Sequence, residues 1–286
     1  MSVKYTPVQW NRSKVFYDVV VLALVFTYVL TFVRLAPMFT GDVKSADGAI
    51  VGARAFGTCA FLMLTVILCI GPLARLDTRF LPLLYNRRHF GVITFFVALT
   101  HIMFVINWYF NFSPTPRFEA LLTSNTSYFQ LLGFPFETLG LLALFALAVL
   151  ATTSHDFWLR FLGPRLWKTL HYAIYFSYAL IVGHIAFGSL QSQINPTFTI
   201  VTAGSALLVC GLHLAALNRE RQSDHRAGGG DWTHVASVDE FANGLARIVR
   251  LANGDRVAVF RHENRLSAIS KRLCSSERAA WRRPHH

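Results

Sequence analysis

Charge is scarce in this chain. Asp, Glu, Lys and Arg together make up 15% of its 286 residues, while 53% are hydrophobic. That balance excludes an ordinary water-soluble domain of this size and points to a membrane protein. Acidic residues are the scarcer sign, 15 against 27 Lys and Arg, so the formal charge is +12. A basic excess can mark a nucleic-acid partner. Here the basic residues sit between hydrophobic runs and in the tail, where membrane proteins keep them, and no nucleic-acid partner is expected. Cysteine is limited to Cys59, Cys69, Cys210 and Cys274. No CxxC occurs, which excludes covalent c-type haem attachment and zinc-finger spacing. No glycine-rich dinucleotide or phosphate loop follows the last hydrophobic run, so no nucleotide-binding module is expected there.

What the chain does have is long apolar runs. About 20 such residues cross the hydrocarbon core of a bilayer. Six segments qualify: roughly 15–36, 49–71, 88–110, 136–153, 167–188 and 197–218. The first lacks a small-residue cleavage site and reads as a transmembrane helix, not a cleaved signal. Lys4, Arg12 and Lys14 precede it. Arg75, Arg79, Arg87 and Arg88 fill the second loop, Arg160, Arg165 and Lys168 the fourth, and Arg219, Arg221 and Arg226 follow the last run. These alternate with poorer loops, although Arg34, Lys44 and Arg54 make the first outer loop a mild exception. The positive-inside rule then puts both termini in the cytoplasm.

Polar side chains at membrane depth are costly and face the bundle interior. The expected site residues are His89 and His101 in the third run and His171 and His184 in the fifth, with His213 in the sixth as a further candidate. His101 lies thirteen residues beyond Arg88, and His184 sixteen beyond Lys168. At 1.5 Å per residue their depths differ by only about 5 Å, so one haem could be clamped between them near the outer face. His171 lies about 20 Å further in, with His89 or His213 as its expected partner. Neutral imidazole is a good iron ligand, and bundles build such sites from facing helices. One geometric obstacle stands. Thirteen helical steps rotate His184 some 220° from His171, so an ideal helix cannot show both on one face. A π-bulge, a strong tilt or two different partner helices would be required.

GPLARL (71–76), RRHFGVITFFVALTH (87–101) and LWKTLHYAIYFSYALIVGH (166–184) resemble the ferric-reductase-like transmembrane domain, in the branch of haem-binding membrane subunits of bacterial periplasmic methionine-sulfoxide reductase systems. The resemblance covers about residues 15–218. It implies b-type haem, one or two per chain, and electron transfer across the bacterial inner membrane. It carries the ligand role onto His101, His171 and His184.

The polar tail divides into a linker, 219–231, a β-like segment, 232–270, and an aberrant end, 271–286. IVRLA and RVAVF alternate around Asn253-Gly254, a hairpin signal. The segment resembles the opening strands of a Rieske [2Fe–2S] domain, in which a Cys-x-His pair should follow LSAIS. The chain instead continues KRLCSSERAAWRRPHH, and Cys274 has no histidine two positions on. Suitable codons for that string, read one base later, give NVCAHQNGPLGEGRI, which does resemble a Rieske ligand loop. Residues 271–286 therefore read as frameshifted. A [2Fe–2S] cluster is expected only in an intact relative.

The fold class expected is thus an all-α integral membrane bundle of six transmembrane helices with a short, incomplete Rieske-like β segment. The function expected is that of an electron-transferring oxidoreductase component. Its donor would be cytoplasmic, and its acceptor a periplasmic protein or a metal ion. The competing readings are a haem-free transporter or scaffold using its intramembrane histidines, and an inactive truncated product.

Overall fold

The computed structural model describes residues 12–40, 48–109, 114–123, 125–130, 133–191, 196–226, 234–241, 246–251, 256–262 and 265–270. The expectations attached to Asn253-Gly254, Cys274 and the 271–286 tail lie outside the described residues. The chain divides into two compact units, Met1–His213 and Leu214–His286.

Its helices are α1 (Arg12–Thr40), α2 (Gly48–Leu76), α3 (Leu81–Tyr85), α4 (Arg87–Tyr109), α5 (Arg117–Thr123), α6 (Phe136–Thr152), α7 (Asp156–His171), α8 (Ala173–Phe187) and α9 (Thr197–Arg226). Five stretches among the described residues are long and apolar enough to cross a membrane: Arg12–Leu35, Gly48–Leu76, Arg87–Asn107, Asp156–Gln191 and Thr197–Gln222. The expected fourth span is α6, which has 17 residues. At 1.5 Å per residue it reaches about 25 Å, a little short of a hydrocarbon core of about 30 Å.

The expected fifth span is divided. α7 begins at Asp156 and hands over to α8 at Tyr172. Within α7 the helix is broken at Gly163, whose φ of 74° is left-handed. Glycine adopts that conformation without a Cβ clash. Pro164 follows, which cannot continue a preceding helix but suits the first turn of a new one.

α2 forms the centre of the first unit. Phe61, Leu64, Leu68 and Cys69 from α2 pack with Leu147 and Leu150 from α6, Tyr178 from α8 and Val209 from α9. On its other side Cys59 and Met63 meet Val21 of α1 and Val97 of α4. The buried hydroxyls inside this core are satisfied. Thr65 donates to the Phe61 carbonyl at 2.9 Å and meets the Tyr178 hydroxyl at 3.1 Å. By contrast α1 exposes Phe16, Leu22, Leu24 and Phe26, and α9 exposes Ile200 and Leu207. Apolar rows of that length suit contact with lipid tails rather than water.

The second unit contains an antiparallel sheet in the order β1 (Ala246–Arg250), β2 (Arg256–His262), β3 (Arg265–Ser270). Val249 stands opposite Val257, and Val259 opposite Ala268. The strands either side of the expected hairpin turn are therefore neighbours, as their alternation requires.

Candidate functional site

His101 projects from α4 and His184 from α8. Their rings face each other with centroids 6.4 Å apart and planes at 80°. Each ring is fixed from behind. Nδ1 of His101 donates to the Ala53 carbonyl on α2 at 2.7 Å. Nδ1 of His184 donates to the Phe136 carbonyl on α6 at 2.8 Å. A carbonyl only accepts, so both neutral imidazoles carry their proton on Nδ1 and keep the Nε2 lone pair for another partner. This is the arrangement of metal-ligating histidines, whose far nitrogen is usually tied to a carbonyl or carboxylate. Two imidazoles that share one metal about 2 Å from each nitrogen have centroids on the order of 6 Å apart. The donor set and its spacing fit a haem iron.

His171 occupies a second environment. Its Nδ1 donates to the Trp167 carbonyl one turn back at 2.9 Å, and its ring stacks on the Trp167 indole with centroids 3.8 Å apart. Its Nε2 is buried and has no hydrogen-bond partner among the described residues. A buried polar atom without a partner is costly and calls for an explanation. Beside it lies a cavity of about 550 Å³. Leu64, Ile67, Leu147 and Leu150 form apolar wall, and Arg87, Arg88 and Lys168 bring positive charge. An apolar slot with an imidazole nitrogen inside and cations at its border suits a flat apolar cofactor with acidic substituents.

The wall is braced by contacts that the sequence did not reveal. Arg88 pairs with Asp156 and stacks its guanidinium 4.7 Å from the Trp167 ring centre. The Trp167 indole N–H donates to the Thr153 carbonyl at 2.8 Å. His155 caps α7 by accepting from the Phe157 N–H at 3.1 Å.

The remaining candidates are held elsewhere. His89 Nδ1 donates to the Asp18 carboxylate of α1 at 3.1 Å. His213 donates through Nδ1 to the Val209 carbonyl at 2.9 Å and accepts through Nε2 from the Tyr175 hydroxyl at 3.0 Å. The structure thus brings His101 and His184 together. Among the described residues, neither His89 nor His213 lines the cavity beside His171.

The 220° obstacle is met by giving the two histidines separate surroundings, since the backbone at Tyr172 between them stays right-handed helical. They have different neighbours: His184 meets α4 and α6, and His171 meets Trp167 and the cavity wall.

A bundle that presents paired imidazoles between its helices defines a class, and residues 56–182 match the family described as ferric reductase like transmembrane component. Within that class the chain is 33% identical over 195 residues to the protein-methionine-sulfoxide reductase heme-binding subunit MsrQ of Bordetella pertussis, covering 68% of this chain and 87% of that relative. The subunit of the same name from Ralstonia nicotianae is 28% identical over 156 residues, 54% of this chain and 67% of the relative. The chain belongs to this family of membrane haem-binding subunits. No solved structure matches it.

Proposed function

We propose that the chain is a b-type cytochrome that carries electrons across the inner membrane through haem held by His101, His171 and His184. The observation that carries this reading is the facing pair His101 and His184, each with Nδ1–H fixed on a carbonyl and Nε2 left to ligate. When bound, haem supplies a one-electron iron couple in a medium where ions alone would not be stable.

The chain's own residues supply the rest. The Ala53 and Phe136 carbonyls hold the tautomer that ligation needs. Leu64, Leu147 and Leu150 keep water from the inner cavity, and Arg87, Arg88 and Lys168 offset acidic groups at its border. His171 is the donor for the inner site. His213 stands outside the ligand set because Val209 and Tyr175 engage both its nitrogens, and His89 because it faces Asp18 of α1 and does not line the inner cavity. The short α6 counts as the sixth crossing. Both termini then lie in the cytoplasm, which follows from the Lys and Arg distribution.

The donor is a cytoplasmic reductant, and the acceptor is on the periplasmic side. The relatives' designation as a reductase subunit supports a protein acceptor over a metal ion. Residues 232–270 are the opening of a Rieske-like unit, a reading supported by three antiparallel strands. The sequence has no Cys-x-His pair to ligate a cluster there.

The test is a pyridine-haemochrome spectrum with haem-to-protein ratio on the detergent-purified chain and on His184→Ala. A b-type spectrum that is halved or lost in the variant is expected. A haem-free wild-type chain after haem-replete expression would overturn the cytochrome reading in favour of a transporter or scaffold.

A further inference from the structure

The two facing histidines are seated in the same manner, and each seat is a glycine. A Cβ placed on Gly57 of α2 would stand 2.9 Å from Nδ1 and 3.0 Å from Cε1 of His101. A Cβ on Gly140 of α6 would stand 2.8 Å from Nδ1 and 2.9 Å from Cε1 of His184. Such separations are at or below the closest approach real Cβ atoms make. Neither ring can step aside freely, because its Nδ1 is tied to the carbonyl one helical turn before the glycine, Ala53 in one case and Phe136 in the other.

The intervals agree as well. From carbonyl residue to histidine the separation is 48 in both halves. From glycine to histidine it is 44 in both, 57 to 101 and 140 to 184. After proline, glycine is the least favourable residue in a helix interior. Close approach of a neighbouring group is the usual reason for one there.

We propose that Gly57 and Gly140 are paired positioning residues. Each provides a flat rest for one imidazole, and together with the Ala53 and Phe136 carbonyls they set the orientation of both ligand planes on a shared iron. The inference rests on the haem reading above and names what sets its geometry. A side chain at either glycine pushes its ring off the carbonyl and turns Nε2 away from the common centre.

The experiment uses the full chain in detergent, with Gly57→Ala, Gly140→Ala and, as control, Gly204→Ala, where a Cβ meets nothing within 4 Å. Haem-to-protein ratio, the low-spin ferric electron-paramagnetic-resonance signal and the midpoint potential are read. Both glycine variants should displace the signal of the same haem or at least halve its occupancy, and Gly204→Ala should match wild type. A second measurement needs no haem. Thermal midpoints are compared for Gly57→Ala with His101 present and with His101→Ala, and likewise for Gly140 and His184. The glycine substitution should lower the midpoint only while the ring is there. Unchanged signals and occupancy in haem-loaded variants would overturn the proposal, as would an equal loss of stability with and without the ring. A wild-type chain without haem would sink the cytochrome reading alone, since the stability comparison would still judge the seats.

Discussion

Arg88 is the residue whose replacement the structure evaluates most directly. Its guanidinium holds Asp156 and lies 4.7 Å from the Trp167 ring centre. The side chains of the ion pair are 38% and 31% exposed, so solvent screens it, and such pairs contribute about 0.2–1 kcal/mol. The stacked cation adds about 0.5–1 kcal/mol. Arg88→Gln removes both and should cost roughly 1–2 kcal/mol. Arg88→Lys keeps the charge but loses the planar stack, and should cost about half of that. For a chain of this size, each kcal/mol moves the thermal midpoint by roughly 2–4 °C. The assay is thermal unfolding in detergent as two double-mutant cycles, Arg88→Gln with Trp167→Leu and with Asp156→Asn. The indole's hydrogen bond to Thr153 is lost in both legs that carry Trp167→Leu, so it cancels from the coupling. The Trp167 coupling should reach about 0.5–1 kcal/mol. Couplings below about 0.3 kcal/mol in both cycles would mean that Arg88 holds neither neighbour, and the argument for a braced inner cavity would fail.

In the haem-loaded chain, His171→Ala should remove any inner haem while the signal from His101 and His184 persists; redox-titrated optical spectra resolve the two, and simultaneous loss of both would refute their independence. For the part-buried pair on α1 and α4, Asp18→Leu alone should cost more than Asp18→Leu with His89→Leu, because the single change removes the carboxylate that His89 faces and keeps the polar ring. Thermal midpoints of the three variants would show it, and additive losses would refute it.

Much of this was legible from residue order. Long apolar runs announced the membrane helices, because hydropathy over about 20 residues depends little on tertiary detail. Depth matching of His101 and His184 worked for a related reason: helical rise is uniform, and both runs start from basic residues on one side. The break inside α7 was harder, since its residue, Gly163, lies outside the expected span and glycine alone does not state its φ. The engagement of His89 by Asp18 and of His213 by Tyr175 depends on which helix faces which, and single-sequence patterns do not carry that. The glycine seats did leave a trace, the repeated interval of 44 residues. It joins two residue types that differ in chemistry, so a search for similar segments passes over it.

The bend at Gly163 has a mechanical consequence. Bends in helices are often hinges. This one has both arms fastened, and to different helices: Asp156 ahead of it is tied to Arg88 of α4, and Trp167 beyond it to Thr153 at the end of α6. Rotation at Gly163 would have to strain or break one of those ties. The element therefore behaves as a bracket, holding a fixed angle and transmitting load between α4 and α6 instead of swinging. A membrane protein that must keep an imidazole at constant orientation gains from such a part, because the two ties resist motion of the neighbouring loop before it reaches His171.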